Sequence, residues 1–68
     1  MLEGKWIQIF SSTDAFHVEV IKGLLTEHSI ECVVVNKKDS FYLIGEVELY
    51  VNVEDVFRAN QLISDSKS

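Results

Sequence analysis

The residues best suited to chemistry fall in one short stretch, Asn36-Lys37-Lys38-Asp39-Ser40, followed by Phe41-Tyr42-Leu43-Ile44. It sets an amide, two cations, a carboxylate and two hydroxyls close together, with aromatics after them. Read as a binding loop on a rigid scaffold, it can meet a small-molecule effector or a protein partner through Asn36, Lys37, Lys38, Asp39, Ser40 and Tyr42. Read as an ordinary solvated turn, it tucks Phe41 and Leu43 back onto a core and does nothing else. The sequence leaves both readings open.

Other chemistries find less support. His17, His28 and Cys32 have no spacing that fits a zinc pattern, and a fourth ligand would have to come from elsewhere. No metal and no cofactor are expected. His17 reads as a surface residue in a first helical turn, and His28 as a helix-end residue. Cys32 belongs to the apolar run Cys32-Val33-Val34-Val35, where a thiol is a small hydrophobe rather than a nucleophile. Ser40 stands beside Asp39 with no histidine partner evident in the sequence. The three glycines are isolated, so no phosphate-cradling loop exists. The chain therefore reads as a non-enzyme.

A second candidate surface is a row of alternate strand residues. Trp6, Gln8 and Phe10 share one face of an early strand, and Glu46, Glu48 and Tyr50 share one face of a late strand. Aromatics on an open sheet are the platform on which RNA readers stack bases. Here they stand among glutamates, which repel phosphates. An exposed apolar patch with acidic neighbours points to a protein interface instead. Self-association through this face, or through an unpaired strand edge, is the preferred reading.

Overall charge agrees. The net charge of −5 disfavours nucleic acid and anionic membrane as partners. No segment approaches the ~20 apolar residues of a membrane span. No apolar region follows Met1–Lys5 to make a signal peptide, so the expected location is the cytoplasm. Sixty-eight residues are expected to form a single domain, 1–68, with an ordered core over about 5–63. With one cysteine there is no disulfide framework, and a core this small gains from a homo-oligomer.

The elements that must position these residues follow from local pattern. Lys5–Phe10 alternates and reads as a strand with Ile7 and Ile9 inward. Ser11-Ser12-Thr13-Asp14 is a helix-start signal, with the cap left open among Ser12, Thr13 and Asp14. The helix runs to about His28, with Val18, Val20, Ile21, Leu24 and Leu25 on one arc. Ile30–Val35 is a second strand and Gly45–Val51 a third, the latter with Val47, Leu49 and Val51 inward. Asn52 caps a second helix whose apolar face holds Val53, Val56, Phe57, Ala59, Leu62 and Ile63; Asp55 three residues on resembles a capping box. Ser64–Ser68 reads as a frayed polar tail. The order βαββα gives an α+β, ferredoxin-like fold: an antiparallel three-stranded sheet, order 1-3-2, with two helices on one face.

Laid in this order, several pieces resemble a known family. They are the opening strand with Trp6, Ser11–Asp14 entering a helix, Val20-Ile21-Lys22-Gly23-Leu24-Leu25, Asn36–Ser40, and Gly45–Val51 before the second helix. The chain resembles the small bacterial domains described as putative prokaryotic signal-transducing proteins, over Lys5 to Ile63. It departs from their pattern at Ser29, where glycine is common, and at Asn52, where proline is common. The resemblance implies a ferredoxin-like fold related in shape to the nitrogen-regulatory P-II proteins, whose effector and partner loop lies between the second and third strands. It implies signalling by name alone. The expected function is thus a non-enzymatic binding or signal-transducing module, the alternative being a purely structural interaction domain with no small-molecule ligand.

Overall fold

The computed structural model describes residues 5–37 and 45–66. Its elements are strand β1 (Trp6–Ser12), helix α1 (Ala15–Glu27), strand β2 (Cys32–Asn36), strand β3 (Val47–Asn52), a 3-10 turn (Val53–Asp55) and helix α2 (Val56–Ser66). The sheet is antiparallel in the order β1-β3-β2, the α+β ferredoxin-like arrangement expected.

β3 alternates as its sequence requires. Val47, Leu49 and Val51 are buried, while Glu48, Tyr50 and Asn52 on the opposite face are only partly covered. The buried row packs with Val18, Ile21 and Leu25 of α1, with Ile30, and with Ala59 and Ile63 of α2. Both helices therefore lie on one face of the sheet. Full burial of each such Val, Leu or Ile side chain contributes about 1.5–3 kcal/mol.

β1 departs from its expected register. It pairs with β3 as Ile7↔Val51 and Gln8↔Tyr50, then shifts to Phe10↔Leu49, Ser11↔Glu48 and Ser12↔Val47. Ile9 is the extra residue of a β-bulge. Residues directly opposite share a face, so Phe10 lies on the helix side with Leu49. It packs against the core, and its ring meets His17 of α1 edge-on at 5.0 Å. Phe10 is not part of the outward row; Ser11 takes its place. Ile7, expected inward, remains 37% exposed near the end of this edge strand.

The helix caps follow from local chemistry. Asp14 is the N-cap of α1, its Oδ1 accepting from the Phe16 N–H at 3.0 Å, while its own N–H donates to Ser12 Oγ at 3.0 Å. At the other end Ser29 sits at φ 63°, the left-handed region that favours glycine. The Ile30 N–H reaches the Leu25 carbonyl and the Ser29 N–H reaches the Thr26 carbonyl, both at 3.0 Å. That is a Schellman motif built without glycine. Asn52 caps the 3-10 turn, accepting from the Glu54 N–H at 3.2 Å. Asp55 pairs with Arg58 at 3.6 Å.

Both helices are apolar over a wider arc than the sheet covers. Val20 on α1, Val53 in the 3-10 turn and Phe57 on α2, all expected in the core, are 51%, 47% and 79% exposed. Ser64–Ser66, expected in a frayed tail, continue α2, and Ser66 Oγ donates to the Ile63 carbonyl at 2.8 Å.

Two substitutions test this account by chemical denaturation. Ser29→Gly should raise stability by roughly 0.5–1 kcal/mol, because glycine meets no Cβ penalty in the left-handed region. Leu49→Ala, at a fully buried position, should lower it by about 2–5 kcal/mol. A Ser29→Gly variant no more stable than wild type would show that the helix end carries no strain.

Candidate functional site

The loop begins where β2 ends. Lys38, Asp39, Ser40 and Tyr42 lie outside the described residues, as do Phe41, Leu43 and Ile44. Its root is described. Asn36 pairs with Val47, and the Lys37 N–H donates to the Glu46 carbonyl at 3.2 Å, so the ladder extends one residue beyond each strand.

The Lys37 side chain turns to the sheet. Its Nζ lies 3.5 Å from Glu48 Oε1, and the same oxygen accepts a hydrogen bond from the Tyr50 hydroxyl at 2.8 Å. The three groups form a line from the loop root across the face of the central strand. Glu48 is largely covered and Lys37 is exposed, their side-chain exposures being 16% and 58%. An ion pair with one such exposed partner contributes little to stability. The Tyr50 hydrogen bond holds that hydroxyl's proton and raises its pKa above the ordinary 10.0, with lesser contributions from burial and from the Glu48 charge.

By register the open face presents Trp6, Gln8 and Ser11 from β1, Glu48, Tyr50 and Asn52 from β3, and Val33 and Val35 from β2. Sequence reasoning missed the two valines because β2 is apolar on both faces, and it missed Ser11 because nothing in the sequence announces the bulge. Trp6 is half-buried, and its Nε1 is a buried donor with no acceptor among the described residues. Such an atom costs roughly 1–3 kcal/mol. Glu46 is exposed just before β3.

The sulfur and imidazole groups stand in three separate settings. His17 rests on Phe10. His28 Nδ1 lies 3.0 Å from the Leu24 carbonyl. Cys32 Sγ donates to the Ile30 carbonyl at 3.4 Å and lies 4.0 Å from that of Lys22. Burial pushes the Cys32 thiol above its usual 9.0 against a lowering hydrogen bond from Thr26, which suits a thiol slow to react. Among the described residues no three His, Cys, Asp or Glu side chains are grouped to hold a metal. No helix among them is long and apolar enough to cross a membrane.

A groove of about 300 Å³ lies between the end of α1 and α2, lined by His28, Phe57, Arg58, Gln61 and Leu62. Arg58 joins α2 to the end of α1 there, Nη2 donating to the His28 carbonyl at 3.1 Å. Reading Phe57 as a core residue hid this groove in the sequence.

A family model described as "putative prokaryotic signal transducing protein" matches residues 6–67. The chain belongs to that family. The match spans both helices, all three strands and the whole 36–44 loop. No curated protein and no solved structure matches the chain. The family's description carries a signal-transducing role without naming a ligand, a partner or a residue.

The Tyr50–Glu48 contact makes a direct prediction. Tyrosinate absorbance should show one tyrosine titrating above the ordinary range, and Glu48→Gln should bring it down. A folded pKa raised above the unfolded value means the contact stabilises at neutral pH. That contribution is then lost as pH climbs from about 10 through the folded pKa. An unchanged titration in Glu48→Gln would show that the hydrogen bond does not form in solution.

Proposed function

We propose that this family member is a non-enzymatic, cytoplasmic binding or signal-transducing module. It self-associates through the open face or edge of its sheet and meets a small-molecule effector or a protein partner through the 36–44 loop. It has no use for nucleic acid or membrane, whose negative charge its own net charge of −5 opposes. The observation that carries the reading is the line Lys37–Glu48–Tyr50. It runs from the loop root to a sheet face whose neighbours include Trp6, Val33 and Val35. A ligand or partner that draws Lys37 away at the loop changes the partners of Glu48 on the face. The place of the loop between β2 and β3 agrees with this by analogy with the P-II proteins that the resemblance brings in.

Two measurements test it. Sedimentation velocity over a wide concentration range should show a homo-oligomer, and a monomer at every concentration would remove self-association. A thermal-shift screen with nucleotides and small metabolites should find at least one compound that raises Tm in wild type and not in Lys37→Ala. At ten times its Kd a ligand adds about 1.4 kcal/mol, which in so small a domain moves Tm by roughly 5 °C or more. Silence across the screen, with Lys37→Ala equally silent in partner pull-downs, would favour a purely structural interaction domain.

A further inference from the structure

We propose that the outer edge of β2 pairs with the β2 of a second copy, antiparallel about a two-fold axis at Val34, making one six-stranded sheet. The proposal rests on the self-association reading above and names the edge and the register.

The parity of the ladder fixes which backbone groups are available. The Lys37 N–H points to β3, since it donates to the Glu46 carbonyl. Backbone groups alternate sides along an antiparallel strand. Val35 and Val33 therefore also bond toward β3, and the N–H and C=O of Val34 and Cys32 point to the outer edge. Among the described residues no strand lies on that side. Two copies can pair only where outward-turned residues meet outward-turned residues. Of the axes that satisfy this, the one at Val34 brings the whole of Cys32–Asn36 into register. Val34 then exchanges two hydrogen bonds with its own mate.

The side chains agree with that register. Val33 faces Val35 of the second copy, twice, and joins four valines on the open face, where Val33 is 40% exposed. One pair further out, Glu31 faces Lys37 of the second copy, again twice. Both residues are exposed. Both pairs fall at non-hydrogen-bonded positions, where opposing Cα atoms are only about 4.5 Å apart and side chains interact most strongly. The surface is thus complementary to itself in shape and in charge, as an interface related by a two-fold axis must be.

β2 also lacks what would blunt it. Its pairing with β3 runs unbroken from Cys32 to Asn36, with no charge and no proline inside it. The other edge strand, β1, carries the bulge at Ile9, which bends it away from regular pairing.

The test uses sedimentation velocity on the full chain. Glu31→Lys alone sets like charges across both ends of the ribbon, and Lys37→Glu alone does the same with the opposite sign. Each should raise the dimer dissociation constant about tenfold or more. An equimolar mixture of the two should restore wild-type association, because both ends then pair unlike charges. Glu19→Lys, an exposed charge reversal on α1 away from the sheet edge, should leave the dimer intact. Circular dichroism melts check that each exposed substitution keeps the fold. A wild-type oligomer indifferent to both single variants would overturn the β2 register while leaving self-association standing. A mixture that fails to recover would overturn it as well. A wild type monomeric at every concentration would remove both readings.

Discussion

β3 is hydrogen-bonded along both edges and buried along one face, and the other placements in the molecule depend on that double constraint. Leu49 and Val51 have no exposed surface, and Val47 has almost none. A one-residue slip would carry all three to the open face and bring Glu48 and Tyr50 into the core. The cost of burying that carboxylate without a partner is far larger than any local preference. Register is therefore fixed at β3 and passed outward. On one side it places Val34 against Leu49, and on the other it decides what happens to β1.

β1 cannot simply follow. Its apolar residues are Trp6, Ile7, Ile9 and Phe10, so both faces would be apolar in a regular strand. The bulge resolves this by spending one residue, Ile9, so that both Ile9 and Phe10 pack toward the helices and Ser11 turns outward. The open face loses an aromatic ring and gains a hydroxyl. β1 also becomes irregular at the point where a further strand would pair. The device that completes the core thereby protects one edge, and the edge at β2 remains the regular one.

How far the sequence discloses the structure follows from the same contrast. β3 was legible because one of its faces is polar, so alternation carries information. β1 and β2 are apolar on both faces, and alternation there says little about direction; the misplacement of Phe10 and the omission of Val33 and Val35 have that one cause. Helix periodicity finds the centre of an apolar arc more reliably than its width. Val18, Ile21, Leu25, Ala59 and Ile63 are buried as read. Val20 and Phe57 lie beyond the reach of three short strands. Of the loop, the sequence marks the residues and the structure describes only Asn36 and Lys37. What the sequence had no means to show is that Lys37 leans on Glu48, because that contact depends on the pairing of β2 with β3.

Lys37 therefore stands at a junction. Along the chain it opens the loop. Across the sheet it meets Glu48, which in turn holds the Tyr50 hydroxyl. By register it lies beside the outer edge of β2. An exposed lysine is held weakly by any one of these, since a solvated ion pair contributes a kcal/mol at most. That weakness suits the proposed signalling role better than the structural alternative. A strong contact would fix the side chain whatever the loop bound. A weak one would let a ligand or partner of the kind proposed for the loop compete with the groups on the sheet. Were both proposed surfaces to engage this one exposed cation, they would be coupled by it, to the extent that each gains from holding it.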